Sequence, residues 1–290
     1  MSRIAYVNGR YLPHAHASVH VEDRGYQFAD GVYEVCEVRD GYLIDMTRHM
    51  DRLDRSLSEL KMAWPAARKA VEAVLGEVVR RNRVRNGLVY LQVTRGVAKR
   101  DHAFPTVPVK PALVVTAKAV APSIAASKAE KGISAVTVPE NRWDRVDIKT
   151  VGLLPNVLAR QEAVEQGAQE ALFVDGEGIV KEGASTNVWI VTKDNTIVTR
   201  PAEHGILRGI TRTVVMNASA DHGLQLEERG FTIEEAEDAL EMFVTSATTV
   251  VIPVTQLNGK MIANGEPGSM SSLLRDAFYD HAEKAAVYAA

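Results

Sequence analysis

Residues 32–38 read Val32-Tyr33-Glu34-Val35-Cys36-Glu37-Val38. Successive side chains of an extended segment point to opposite faces, and β-branched and aromatic residues favour that conformation. Tyr33, Val35 and Glu37 therefore share one face of a predicted strand, and Glu34, Cys36 and Val38 share the other. Downstream the period changes. Met50, Leu53, Leu57 and Leu60 recur at steps of three and four, the signature of one helix face. Val71, Val74, Leu75, Val78 and Val79 repeat that signal, and Gly87 follows it. Residues 88–94 and 112–117 are β-rich runs with turn residues between them. The first half thus predicts a sheet with two helices.

Residues 119–132, AVAPSIAASKAEKG, are small, polar and proline-containing, the composition of an exposed linker. Beyond them come a predicted strand over 133–138 and a helix over about 154–166, with Pro155 in its first turn. Short strands are expected at 172–174, 187–192 and 197–199, and a helix from near Gly209 to His222. Residues 224–229 and 242–246 return to strand, and 269–284 form a last helix. Strands and helices mix without a regular βαβ alternation, so the expected class is α+β. The expected division is a small N-terminal α/β domain over 1–118, a linker over 119–131 and a larger cofactor-binding domain over 132–290.

The 290 residues are 46% hydrophobic and 24% charged, enough apolar material for a substantial core. A net charge of −3 gives no broad basic field, which argues against nucleic acid as a partner. Cys36 is the single cysteine, excluding an internal disulfide framework and fitting a reducing compartment. The first residues lack the apolar core of a signal peptide, and the apolar run 243–254 is too short and interrupted to cross a bilayer. The expectation is a cytoplasmic protein with no membrane partner.

No G-x-S-x-G elbow, phosphate-binding G-x-x-x-x-G-K-[ST] loop or H-E-x-x-H pair occurs. Gly176 and Gly178 read as a hairpin turn, and His14, His16 and His20 as surface side chains, so no metal site is expected. Four segments carry more chemistry. In Asp147-Ile148-Lys149-Thr150, the lysine is either exposed at a strand end or buried, where an amine becomes a usable nucleophile. Glu182, ahead of Gly183-Ala184-Ser185-Thr186-Asn187, is either a loop carboxylate or the partner of a protonated ring nitrogen. Gly205-Ile206-Leu207-Arg208-Gly209-Ile210-Thr211 leads into a helix whose open N–H groups attract anions, unless Thr211 merely caps it. Thr245-Ser246-Ala247-Thr248-Thr249 is a second phosphate wall or an ordinary turn.

In this order the segments resemble a known group. Phe28-Ala29-Asp30-Gly31-Val32-Tyr33-Glu34-Val35, His49-x-x-Arg52-Leu53, Asp147-Ile148-Lys149 and Leu153-Leu154-Pro155-Asn156 carry the likeness, with the Glu182–Asn187 segment and the Gly209-Ile210-Thr211 turn. The chain resembles the fold-type IV pyridoxal-phosphate enzymes, which include D-amino-acid and branched-chain aminotransferases. That resemblance implies a two-domain α+β fold with pyridoxal 5'-phosphate as cofactor. Lys149 would hold the cofactor through a Schiff base and carry the proton between substrate and cofactor. Glu182 would pair with the pyridine nitrogen, and Leu207 would pack on the ring. Arg52, Gly209, Ile210, Thr211, Ala247 and Thr248 would surround the phosphate.

The loop Arg95-Gly96-Val97-Ala98-Lys99-Arg100-Asp101-His102-Ala103-Phe104-Pro105 is similar to the R-x-H loop of the D-amino-acid branch. By that likeness Arg100 and His102 would join Tyr33 in gripping the substrate α-carboxylate, with Val35 also lining the substrate site. The implied reaction is ping-pong transamination between a D-amino acid, such as D-alanine, and a 2-oxo acid. Sister readings are a branched-chain L-aminotransferase or an (R)-amine transaminase, then an aminodeoxychorismate lyase; a non-catalytic homologue is the reading from another class. The resemblance also implies a homodimer whose partner loops help close the site. Two positions depart from the pattern. Glu37 stands where the D-branch carries lysine, either repelling carboxylates or pairing with Arg100, and Ala247 stands where relatives often carry threonine.

Overall fold

The computed structural model describes residues 3–203 and 205–288. The chain divides into two compact units. The first runs to Ala121 and also takes Ile148–Gly152 and the segment from Glu283; the second holds Pro122–Asp147 and Leu153–Ala282.

In the first unit, β1 (Ile4–Val7) and β2 (Arg10–Pro13) precede a short helix, α1 (Arg24–Phe28), and strands β3 (Gly31–Arg39) and β4 (Tyr42–Ile44). Helices α2 (Met46–Glu59) and α3 (Arg68–Arg81) lead to β5 (Gly87–Thr94) and β6 (Ala112–Ala119). The second unit contains α4 (Pro122–Lys131), β7 (Ile133–Pro139), α5 (Leu154–Glu165), β8 (Glu170–Val174), β9 (Val180–Gly183), β10 (Asn187–Val191) and β11 (Ile197–Thr199). It continues with α6 (Ile210–Asp221), β12 (Leu226–Glu228), α7 (Ile233–Glu237), β13 (Glu241–Ser246), β14 (Val250–Leu257), β15 (Lys260–Met261) and α8 (Ser269–His281). A last strand, β16 (Lys284–Ala286), belongs to the first unit.

The first sheet has the order β16-β4-β3-β5-β6-β1-β2, every neighbour antiparallel. The two faces of β3 behave as its sequence predicts. Val32, Glu34, Cys36 and Val38 are buried, while Tyr33, Val35, Glu37 and Arg39 remain partly exposed. Beneath the buried face lie Met50, Leu53 and Leu57 of α2 with Val71, Leu75 and Val78 of α3. Each such side chain stabilises the unit by about 1.5–3 kcal/mol relative to exposure.

The second sheet runs β12-β11-β10-β13-β14-β7-β8-β9, with β15 added on β14. It is mixed, because β11–β12, β14–β7 and β7–β8 are parallel pairs. All five residues of β10, Asn187-Val188-Trp189-Ile190-Val191, are buried, as befits a strand covered on both faces. The mixed architecture is α+β, as expected.

The structure corrects several boundaries. The segment expected as a linker is helical over Pro122–Lys131, since its alanines and lysines favour helix and proline is tolerated at a helix start. Lys149 does not group with the second unit: Tyr33 N–H donates to Lys149 C=O (3.0 Å) and Val151 N–H to Gly31 C=O (3.0 Å), fastening 148–152 to β3. The last helix stops at His281, and Lys284–Ala286 pairs with β4 instead. The expected hairpin at Gly178 does form, its φ of +79° joining β8 to β9.

Candidate active site

In the first unit, the antiparallel bonds that fasten 148–152 to β3 place Lys149 on the Tyr33 face of that strand. Lys149 Nζ lies 4.2 Å from the centre of the Tyr33 ring, and the residue is partly buried. Tyr33 stacks on Tyr90 of β5, ring centres 5.6 Å apart, and Tyr90 also faces Val35 in the strand register. Burial, with Tyr33 nearby, pushes the Tyr90 phenol up to about 12, so Tyr90 stays a neutral hydrogen-bonding group; its hydroxyl donates to Gln92 (2.7 Å).

The opposite, buried face of β3 organises Arg52. Helix α2 presents His49, Arg52 and Leu53 there. Glu34 accepts from Arg52 Nε (2.7 Å) and Nη2 (2.8 Å), a bidentate pair, and His49 Nδ1 lies 2.7 Å from Glu34 Oε2. Burial alone would raise the Glu34 carboxyl, but Arg52 and His49 outweigh it and hold the group far below the usual carboxylate range. The same pairing keeps the largely buried Arg52 cationic and aimed. The sequence motif singles out Arg52 and not the support that Glu34 and His49 give it, although the i,i+3 step from His49 to Arg52 marks a shared helix side.

In the second unit, Glu182 is buried on β9. Its Oε1 accepts from Arg142 Nη1 (2.5 Å), and its Oε2 from Leu207 N–H (3.1 Å) and Asn187 Nδ2 (3.2 Å). Arg142 is braced in turn by Glu140 (2.6 Å) and lies 4.2 Å over the Phe173 ring. Asn187 Nδ2 also donates to Leu207 C=O (2.9 Å), fixing the chain just before α6. Gly209 permits that approach, since a Cβ there would overlap Asn187 Oδ1. Gly209 caps α6 without a side-chain bond, so no side chain satisfies the first amides of the helix, at Ile210 and Thr211, the kind of group that attracts anions. Ala247 and Thr248 sit in the β13–β14 turn, where Ser246 Oγ lies 2.9 Å from Thr249 Oγ1. Val250, closing that turn, has φ +64°, a strained conformation for a β-branched residue. Sequence reasoning foresees neither Arg142 nor Asn187 as a support of Glu182; only the spacing of Glu140 and Arg142 hints at a pair.

Of the residues expected to bind substrate, Tyr33 and Val35 share a face with Lys149. Arg100 and His102 are exposed and come together on Phe28: the guanidinium carbon lies 4.7 Å from the ring centre and the imidazole centre 5.4 Å. Among the described residues neither makes a hydrogen bond, ion pair or ring contact with Tyr33. Glu37 has Arg39 Nη1 at 3.9 Å. His14, His16 and His20 are exposed.

The amino-transferase class IV family profile matches residues 31–257, from the first residue of β3 to the last of β14. This chain belongs to the class IV aminotransferases. Similar members include a D-alanine aminotransferase of Staphylococcus haemolyticus, 39% identical over 278 residues that make up 96% of this chain and 97% of that protein. The D-alanine aminotransferase of Bacillus licheniformis is 39% identical over 274 residues, 93% of this chain and 94% of its own length. Among solved structures, the branched-chain aminotransferase of the thermophilic archaeon Thermoproteus uzoniensis, with norvaline, superposes with a TM-score of 0.85 at 24% identity, covering 99% of this chain and 100% of that one. That likeness shows the shared fold. Class IV aminotransferases use pyridoxal phosphate, and each unit holds groups of the kind it needs: an amine and a largely buried guanidinium in the first, a buried carboxylate and a helix N-terminus without a side-chain cap in the second. These residues are divided between the units, Lys149 and Arg52 in the first, Glu182, Leu207, Gly209, Ile210, Thr211, Ala247 and Thr248 in the second.

Proposed function

We propose that this class IV aminotransferase transfers the amino group of D-amino acids, D-alanine among them, to a 2-oxo acid. The observation that carries the reading is Lys149, pinned by its own backbone to β3 with its amine against Tyr33. The D-alanine aminotransferase relatives support the choice of substrate, as does the placement of Arg100 and His102 on one ring, that of Phe28.

When bound, pyridoxal phosphate supplies a conjugated ring that accepts the electron pair left as the substrate Cα loses its proton. Lys149 would hold the cofactor covalently and, once released by substrate, take the α-proton on its amine and carry it from substrate to cofactor. Glu182 would accept a hydrogen bond from the pyridine N–H; Arg142, Asn187 and the Leu207 amide fix the carboxylate for that role. Leu207 would pack on the ring, and Ala247 and Thr248 would line the phosphate beside the amides of Ile210 and Thr211. Arg52 would meet the same anion, its direction set by Glu34 and His49. Tyr33 and Val35 would line the substrate site, and Arg100 with His102 would hold the α-carboxylate. With the carboxylate fixed, a single enantiomer presents its α-hydrogen to Lys149.

The chain is proposed to work in the cytoplasm as a homodimer, with partner loops helping to close the site.

A half-reaction tests the reading. Protein loaded with pyridoxal phosphate is mixed separately with D-alanine, L-leucine and (R)-1-phenylethylamine, and the visible cofactor band is followed. Rapid loss with D-alanine alone is expected. Loss with L-leucine or the amine but not D-alanine would overturn the substrate assignment and favour the sister activity.

A further inference from the structure

The loop bearing Arg100 and His102 is exposed along most of its length, yet it is fastened at defined points. At its start Arg95 donates to the carbonyls of Leu60 (2.8 Å) and Lys61 (3.3 Å), just past α2, and its other fastenings described here lie on the α1 segment. Asp23 caps α1 through Gly25 N–H (2.9 Å) and accepts from Thr94 Oγ1 (2.9 Å) at the end of β5. Arg24 N–H donates to Gly96 C=O (2.9 Å), and Arg95 N–H to Asp30 C=O (3.1 Å). Asp30 lies between two guanidinium groups: Oδ2 accepts from Arg24 Nε (2.8 Å) and Arg95 Nε (2.7 Å), and Oδ1 from Arg95 Nη2 (3.0 Å). With Asp30 holding its Nε, the buried Arg24 turns its other nitrogens to the loop, Nη1 to Asp101 C=O (2.6 Å) and Nη2 to His102 C=O (3.4 Å).

Phe28 completes the arrangement. Its ring lies 4.8 Å from the Arg24 guanidinium carbon, 4.7 Å from that of Arg100 and 5.4 Å from the His102 ring centre. One aromatic side chain thus carries two exposed side chains that are two residues apart. An unsupported surface arginine samples many rotamers, and ordering it on binding weakens affinity. A cation over an aromatic ring is attracted by the ring quadrupole and restrained beforehand.

We infer that Phe28, backed by the Asp30–Arg24 clamp, is a positioning element for carboxylate recognition: it presents Arg100 and His102 as a preformed pair. The inference rests on the carboxylate-trap reading of those two residues and assigns the effect to residues outside the loop. Because the α-carboxylate is common to donor and acceptor, both half-reactions would depend on it. Phe28 touches neither reacting atoms nor cofactor in this assignment; it acts through Arg100 and His102.

The experiment compares Phe28→Leu, Phe28→Tyr, Arg24→Lys and Arg100→Leu in the cofactor-loaded enzyme. Steady-state kinetics with D-alanine and amide hydrogen exchange of the peptide spanning 96–105 are both read. Phe28→Leu should raise KM for D-alanine about tenfold, with kcat within about threefold, a change of the size one cation–π contact supports. Exchange in the loop should speed up, and Phe28→Tyr, which keeps the aromatic face, should restore both readouts. Arg24→Lys keeps the charge but not the fork, so KM should again rise while kcat holds; it decides the matter if Phe28→Leu does not fold. If Arg100→Leu raises KM and Phe28→Leu and Arg24→Lys leave KM and exchange unchanged, the positioning role is overturned and the trap survives. If Arg100→Leu itself leaves KM unchanged, the trap reading fails and the inference falls with it. A KM rise that tyrosine does not rescue, without faster loop exchange, would reduce Phe28 to general packing and overturn the inference.

Discussion

Glu34 and Glu182 are both buried carboxylates on strands, one in each unit, and their surroundings differ in kind. Glu34 meets Arg52 through both oxygens and has His49 on the second. Glu182 meets the Arg142 guanidinium through one oxygen, while Asn187 and the Leu207 amide bind the other. The first arrangement uses a carboxylate to fix a cation. The second uses a cation and two neutral donors to fix a carboxylate. A buried charge is therefore not assigned a role by its burial; its partners show whether it is support or the group supported.

The largest expected effect lies at neither carboxylate. Lys149→Ala should remove at least about 10³-fold of transaminase activity, measured by oxo-acid release, because the proton carrier and the anchor are lost together. The fold should persist, since 148–152 is held by backbone bonds that alanine retains.

Substituting the two carboxylates separates them most sharply. Glu34→Gln leaves Arg52 buried with a neutral partner, so denaturant unfolding should show a loss of about 3–5 kcal/mol and weaker cofactor retention. Glu182→Gln should cost about 1–3 kcal/mol and lower kcat by about 10²-fold or more, since a neutral amide cannot hold the pyridine N–H in the same way. The reverse pattern, with Glu182 the larger loss of stability and Glu34 silent, would break the distinction between support and supported group.

Within the first unit, acid should act through Glu34 and Asp30. Despite burial, which by itself raises them, Glu34 is lowered by Arg52 and His49, and Asp30 by Arg95 and Arg24. A carboxyl with a folded pKa below its unfolded value of about 4 contributes fully above that value and loses the contribution as pH falls through the folded one. Stability should hold from pH 7 to about 5 and decline below about 4, and Glu34→Gln should flatten the decline. An unchanged acid slope in that variant would count against Glu34 as its source.

The smallest effect serves as a control in the second unit. Thr232 caps α7, its Oγ1 accepting from Glu235 N–H (3.2 Å). Thr232→Ala should cost about 1 kcal/mol in thermal unfolding and leave kcat and KM unchanged.

How much of this is legible in the sequence follows the same division. The two faces of β3 and the buried stripes of α2 and α3 are local patterns, and residues 32–38, 50–60 and 71–79 declare them. Lys149, Glu182 and Arg52 are recognisable because motifs surround them. Their supports are not. Arg142 lies 40 positions from Glu182, and Asn187 joins Glu182 to Leu207 only once β9, β10 and the start of α6 come together. Residues 119–131 mislead because small and charged residues suit a linker and a surface helix equally. The final strand is hidden in the tail of a helical pattern, and its pairing with β4 is a contact across more than two hundred residues that no local period encodes.

Whether Lys149 is the amine that holds the cofactor is the question on which the rest depends. Protein incubated with pyridoxal phosphate can be reduced with borohydride, digested, and its peptides weighed. One cofactor-derived mass increment is expected, located on Lys149. An increment on another lysine, such as Lys181, or none in folded protein, would contradict that assignment.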